Sequence, residues 1–148
     1  MIAFLRFLFV IPIGFVAGCF AAAFALLWPF LDLSPGTFDN PVITLELFFG
    51  FMAQTAQIGS AVLVPWAILM VLSEIFALSS IVLHIVAGAA GGFALARSWY
   101  GDGVPSAIQT AMVVGGIAFL MVYWVVAGRQ AGHWRRRSER SDPESTVR

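Results

Sequence analysis

Charges are so sparse along this chain that the intervals between them outline its elements. Uncharged, strongly apolar runs extend from Phe7 to Leu31, Leu47 to Ser73, Ile75 to Ala96 and Gly103 to Gly128. Each reaches the roughly 20 residues that a helix needs to cross the hydrocarbon core of a bilayer. Strands of a membrane barrel would give alternating segments of about ten residues, whereas these runs are longer and uniform. The pattern therefore predicts an all-α, polytopic membrane protein: a four-transmembrane-helix bundle with spans at about 5–31, 43–73, 79–99 and 104–128. Residues 1–128 form one membrane domain, and 129–148 a polar, Arg-rich cytoplasmic tail expected to be disordered.

Turn residues set most of the boundaries. "LDLSPGTFDNP" (31–41) separates the first two spans with Pro35-Gly36, and Asp39 or Asn40 can cap the next helix ahead of Pro41. "RSWYGDGVPS" (97–106) does the same before the fourth span, with Asp102 or Gly103 near the cap and Pro105 just inside. Between them, Leu47–Ala96 is a 50-residue stretch whose sole charge is Glu74. A straight helix of that length would measure about 75 Å, more than twice the hydrocarbon thickness, so the chain has to reverse. The weak helix positions near its middle are Ser73-Glu74 and Ser79-Ser80, which place the reversal at about 73–80 with hydroxyls as caps.

Composition sharpens this picture. With 11% charged residues and a mean hydropathy of +0.91 over 148 residues, the chain lacks the charge to coat a separate water-facing domain. All eight basic residues are Arg. Arg6 precedes the first span, and Arg129, Arg135, Arg136, Arg137, Arg140 and Arg148 follow the fourth, whereas the 32–46 loop carries only Asp32, Asp39 and Glu46. The positive-inside rule then puts both termini in the cytoplasm. Trp28, Trp99 and Tyr100 fall at the outer interface and Trp66, Tyr123 and Trp124 at the inner one, as aromatic belts would. Absence of Lys hints at a GC-rich bacterial genome, hence a bacterial inner membrane.

Small residues predict where helices meet. Three seams repeat at four-residue spacing: Gly14, Gly18 and Ala22; Gly88, Gly92 and Ala96; Ala107, Ala111 and Gly115. In lipid there is no hydrophobic drive between helices, so small residues and interhelical amides mark packed faces. On the second span these lie together as Gly50, Ala53, Gln54, Gln57, Ser60 and Ala61, opposite Phe48, Phe51, Ile58, Val62 and Leu69. That face is expected to pack, with Gln54 and Gln57 either stitching helices or lining a polar cavity. Pro12 and Pro65 are expected to kink their spans.

Chemistry is scarce. Glu74 falls beside the reversal, at headgroup level, where a carboxylate is far cheaper than at mid-bilayer. His84 lies on the Gly88/Gly91 side, about a turn inside the membrane and depth-matched to Tyr123, whose hydroxyl is its expected partner. Interface ion pairs are expected for Glu74 with Arg129 and for Arg97 with Asp102. "FVAGC" (15–19) fits a lipoprotein cleavage box, but the apolar "FAAAFALLWPFL" that follows Cys19 replaces the usual polar tether, so the first span reads as retained. No nucleophile–base pair, metal-ligand cluster, P-loop or dinucleotide fingerprint occurs, so neither a catalytic residue, a metal nor a cofactor is predicted. The neutral chain, with its basic cluster (Arg135–Arg137) held at a membrane, does not predict nucleic-acid binding. The four-span layout is similar to that of the small multidrug-resistance transporters, but those carry a carboxylate in the first span and Phe7–Leu31 has none. Three functions stay open. The first is an accessory or assembly subunit packing against a larger membrane complex or copies of itself. The second is a small oligomeric transporter or channel using Gln54, Gln57 and His84. The third is a lipid-phase enzyme or quinone binder at His84, whose mark would be a groove opening to lipid.

Overall fold

The computed structural model describes residues 9–31, 37–76 and 79–127. They form four helices, α1 (Ile11–Leu27), α2 (Pro41–Ile75), α3 (Ile81–Tyr100) and α4 (Ser106–Val126), and no strand occurs among the described residues. All four are long and apolar enough to cross a membrane, α1 with its tight continuation through Phe30. Residues 32–36, 77–78 and 128–148, including His133 and the Arg135–Arg137 cluster, lie outside the described part, as do Arg6 and Arg129.

Local chemistry explains the ends. Asn40, in extended conformation, accepts the Val42 N–H on its side chain at 3.0 Å, and Pro41 opens α2 where its missing N–H costs nothing. Of the two caps the sequence offered, Asn40 is used. Gly101 ends α3 at φ +66°, a conformation that glycine adopts without penalty. Pro105 occupies the cap position of α4 rather than its interior, its carbonyl accepting the Gln109 N–H at 3.0 Å. Pro12 falls in the first turn of α1, not deep in the span, directly after a π-type turn at 9–10. Pro65 is inside α2, and the helix runs through it for 35 residues in all.

The break between α2 and α3 falls between Ile75 and Ile81, but the expected hydroxyl caps are not used there. Ser73 is inside α2, buried, its hydroxyl donating to the Met70 carbonyl at 2.8 Å. Lying inside the last turn of α2, Ser73 is not placed to cap α3. Ser80 holds the cap position of α3 through its backbone, without a side-chain bond.

Packing is asymmetric. α4 lies along both α1 and α3, while α2 rests chiefly on α1. The α3–α4 crossing is a backbone contact. A Cβ on Gly88 would stand 2.4 Å from the Gly116 carbonyl oxygen, and one on Gly92 would stand 2.2 Å from that of Met112. On an adjacent face α4 meets the α1 seam, where a Cβ on Gly18 would come within 2.9 Å of the Phe119 ring and one on Gly14 within 3.2 Å of Ala127 Cβ. Gly115 faces Leu26 of α1. The seam partner on the α3 side is Gly116, one residue beyond the predicted Ala107–Ala111–Gly115 row.

The face of α2 expected to pack is the outer one within this chain. Thr55 and Ile58 are buried, and Phe51, Val62, Trp66 and Leu69 pack on the core. Ala53, Gln57 and Ser60 are exposed, and the exposed Gly50 has no neighbour within 4 Å of an added Cβ. The cause is competition for small-residue seams. α1 turns Gly14 and Gly18 to α4, which leaves its aromatic side for α2. Phe15 meets Trp66 with ring centroids 4.4 Å apart, and Phe20 meets Phe51 at 5.7 Å. Cys19, buried midway along α1, places its sulfur 3.5 Å from where a Cβ would stand on Gly59.

Adjacent glycines should therefore behave oppositely. Gly92→Ala is expected to destabilise the folded protein by about 1–3 kcal/mol, the usual scale of overpacking. Gly91→Ala meets open space and should be neutral or stabilising by up to about 1 kcal/mol from helix propensity. Reversible unfolding in mixed micelles separates the two.

Candidate functional site

Because α2 leans on α1 and α3 leans on α4, a cleft opens between α2 and α3 over the surface of α4. Its volume is about 340 Å³. Gln54, Trp66 and Leu69 of α2 form one wall, Gly88, Leu95 and Trp99 of α3 the other, and Gly115 and Phe119 of α4 lie in the floor. Along α3 the lining extends from Ala87 to Trp99, about 18 Å at helical rise. No charged residue lines it, and apart from the two indoles Gln54 is its one polar side chain. The cleft is thus suited to an apolar chain, not to a hydrated ion.

An aromatic cluster lies at the cytoplasmic-predicted end. The Trp66 indole stands perpendicular to the Tyr123 ring at 5.7 Å between centroids while also packing on Phe15. Trp66 is therefore a packing residue between helices and not the headgroup-level belt residue expected of it. Its indole N–H is buried and has no hydrogen-bond partner among the described residues.

His84 lies on the other side of this cluster, its ring 6.4 Å from that of Tyr123. It is 0% exposed. Its Nδ1 bonds to the Ser80 carbonyl one turn back at 2.9 Å, and not to the expected Tyr123 hydroxyl. A carbonyl only accepts, so Nδ1 donates in that bond. Nε2 is buried and has no partner among the described residues. Ser80 is available to His84 because α3 starts there: the carbonyl of the cap residue faces the first turn.

The other predicted residues are dispersed. Gln54 reaches the cleft, Gln57 faces outward, and His84 sits a turn below Gly88 without entering the lining. These three share no cavity. Glu74 is half-buried in the last turn of α2, beside the break, and its expected partner Arg129 lies outside the described residues. Arg97 does pair with Asp102, and its guanidinium lies 5.4 Å from the centre of the Phe93 ring. Both partners are largely exposed, so the pair adds little stability. Sequence reasoning missed the surroundings of two indole N–H groups. One is the buried N–H of Trp66. The other is the Trp124 indole, which donates to the Ser79 carbonyl at 2.8 Å and ties α4 to the start of α3. Neither residue has a spacing signal that separates such a role from a belt.

Comparison with protein-family models, curated proteins and solved structures finds no match to this chain. Fold and site alone define the class: a membrane protein of four apolar helices, with an apolar cleft between α2 and α3.

Trp124→Phe keeps the ring and removes the bond to Ser79, so it should lower stability by about 0.5–1.5 kcal/mol. Arg97→Gln should change it by less than about 0.5 kcal/mol. Denaturant titration of the purified variants checks both.

Proposed function

We propose that this protein is a small subunit of a bacterial inner membrane, with both termini cytoplasmic, that acts by packing against helices outside its own fold. Those helices belong to a larger membrane complex or to further copies of the chain. The observation that carries this reading is the outward face of α2. Only Thr55, Ile58 and Ser73 of its 35 residues are buried, and the side turned away from the bundle holds Gly50, Ala53, Gln57 and Ser60. Small residues permit close backbone approach, and an amide facing hydrocarbon has no partner until another helix supplies one. A transport path through Gln54, Gln57 and His84 has less support, because of the three only Gln54 lines the cleft.

The reading predicts an assembly larger than one chain when the protein is extracted gently from its native membrane. Ala53→Phe and Gln57→Leu should shrink or abolish it on native gels while leaving the monomer folded. A wild-type protein that runs as a monomer alone, with no stoichiometric companion by mass spectrometry, would sink the proposal. Cysteine-accessibility labelling at 128–148 in intact cells checks the orientation, and labelling from outside would reverse it.

A further inference from the structure

α2 is too long for the membrane that its neighbours fit. α3 and α4 have 20 and 21 residues, about 30 Å at helical rise, which matches a hydrocarbon core. α2 has 35 residues, and its uncharged part alone, 47–73, is about 40 Å long. A span with that excess takes it up by tilting or by kinking. We propose that α2 takes it up by bending at Pro65. Residues 41–64 then form an arm hinged on a fixed foot, and the width of the cleft between α2 and α3 follows the thickness of the bilayer. This device is independent of what covers the outer face of α2.

Backbone chemistry puts the hinge at Pro65. Its ring nitrogen carries no hydrogen, so the Ala61 carbonyl one turn earlier loses its helical donor. No hydrogen bond has to break there when the helix bends, which is why sharp kinks gather at proline. The pyrrolidine ring also crowds that carbonyl, so the bend goes away from the side that carries the ring. Pro65 and Ala61 both line the cleft. The arm therefore bends away from α3, and a stronger bend widens the cleft.

Packing separates foot from arm. Directly after the hinge, Trp66 is held between Phe15 of α1 and Tyr123 of α4, and Ser73 is buried before the break. Only residues 76–80 separate α2 from α3, so the foot stays beside the start of α3. The arm is held more loosely. Among the described residues, no hydrogen bond or ion pair joins 41–64 to another helix. The Thr55 and Ser60 hydroxyls donate to the Phe51 and Gln57 carbonyls of α2 itself. Thr55 and Ile58 are the buried residues of the arm, and its contacts on α1 include the Phe51–Phe20 rings and the Gly59–Cys19 approach. These are side-chain contacts, unlike the backbone contact that fixes Gly88 and Gly92 on α4. Facing the hinge across the cleft is Gly91, where an added Cβ meets nothing within 4 Å.

The arm is about 36 Å long, so a change of about 10° in the bend moves its tip by about 6 Å. Double electron–electron resonance reads such a shift. Full-length Cys19→Ala protein carries spin labels at Val42 and Tyr100, exposed residues at the far ends of α2 and α3. A second pair at Val71 and Val86, also exposed, reports on the foot. Labelled chains are diluted with unlabelled ones, so self-association does not contribute. Nanodiscs of dimyristoleoyl and dieicosenoyl phosphatidylcholine supply thin and thick bilayers. The Val42–Tyr100 distance should be longer in the thin bilayer by about 6 Å, and the Val71–Val86 distance should be the same in both. Pro65→Ala restores the missing donor and should remove most of the shift. Equal or shorter Val42–Tyr100 distances in the thin bilayer would overturn the proposal. So would both pairs shifting together, which marks a rigid tilt of α2, or a shift that survives Pro65→Ala unchanged.

Discussion

At Gly88 and Gly92, α3 approaches α4 until backbone touches backbone, and the arrangement of the remaining helices follows from that contact. A side chain at either position would have to displace a carbonyl group, not the end of a flexible side chain. Rigid contact of this kind suits a membrane interior, where packing, not water exclusion, holds helices together. α4 uses an adjacent face for Gly14 and Gly18 of α1. With both small-residue seams engaged on α4, α2 is left to attach through aromatic rings to α1. The cleft is the space left between α2 and α3 when each leans on a different neighbour.

The same contact places the polar atoms. His84 follows the Gly88–Gly92–Ala96 face of α3 by helical spacing, so bringing that face against α4 buries the imidazole completely. Its Nδ1 then finds the Ser80 carbonyl because α3 begins four residues earlier. Trp66 is drawn inward by Phe15 and Tyr123, which removes its N–H from any headgroup. Two residues that would be ordinary at an interface thus have ring nitrogens buried between helices.

Function is read here from two surfaces that differ in chemistry. The outer side of α2 offers small residues and amides, the vocabulary of helix–helix contact. The cleft offers an apolar slot whose polar side chains, among the described residues, are Gln54 and two indoles. The packing face fits the proposed role of a small membrane protein whose work depends on what it accompanies.

Four membrane-length helices and most of their ends were determined by the sequence, because length, hydropathy, and proline, glycine and asparagine act locally. The small-residue seams were legible as well, since spacing alone puts Gly14 with Gly18 and Gly88 with Gly92 on one helix face. Which seam meets which could not be read, because each helix offers more than one packable face and the choice depends on what its neighbours have already taken. That competition turned Gln57 outward and Ile58 inward, the reverse of what the α2 pattern suggested. It also gathered Trp66, His84 and Tyr123, residues far apart along the chain, into one cluster. Local propensity determined the elements, and only the competition among helices for close contact decided the site.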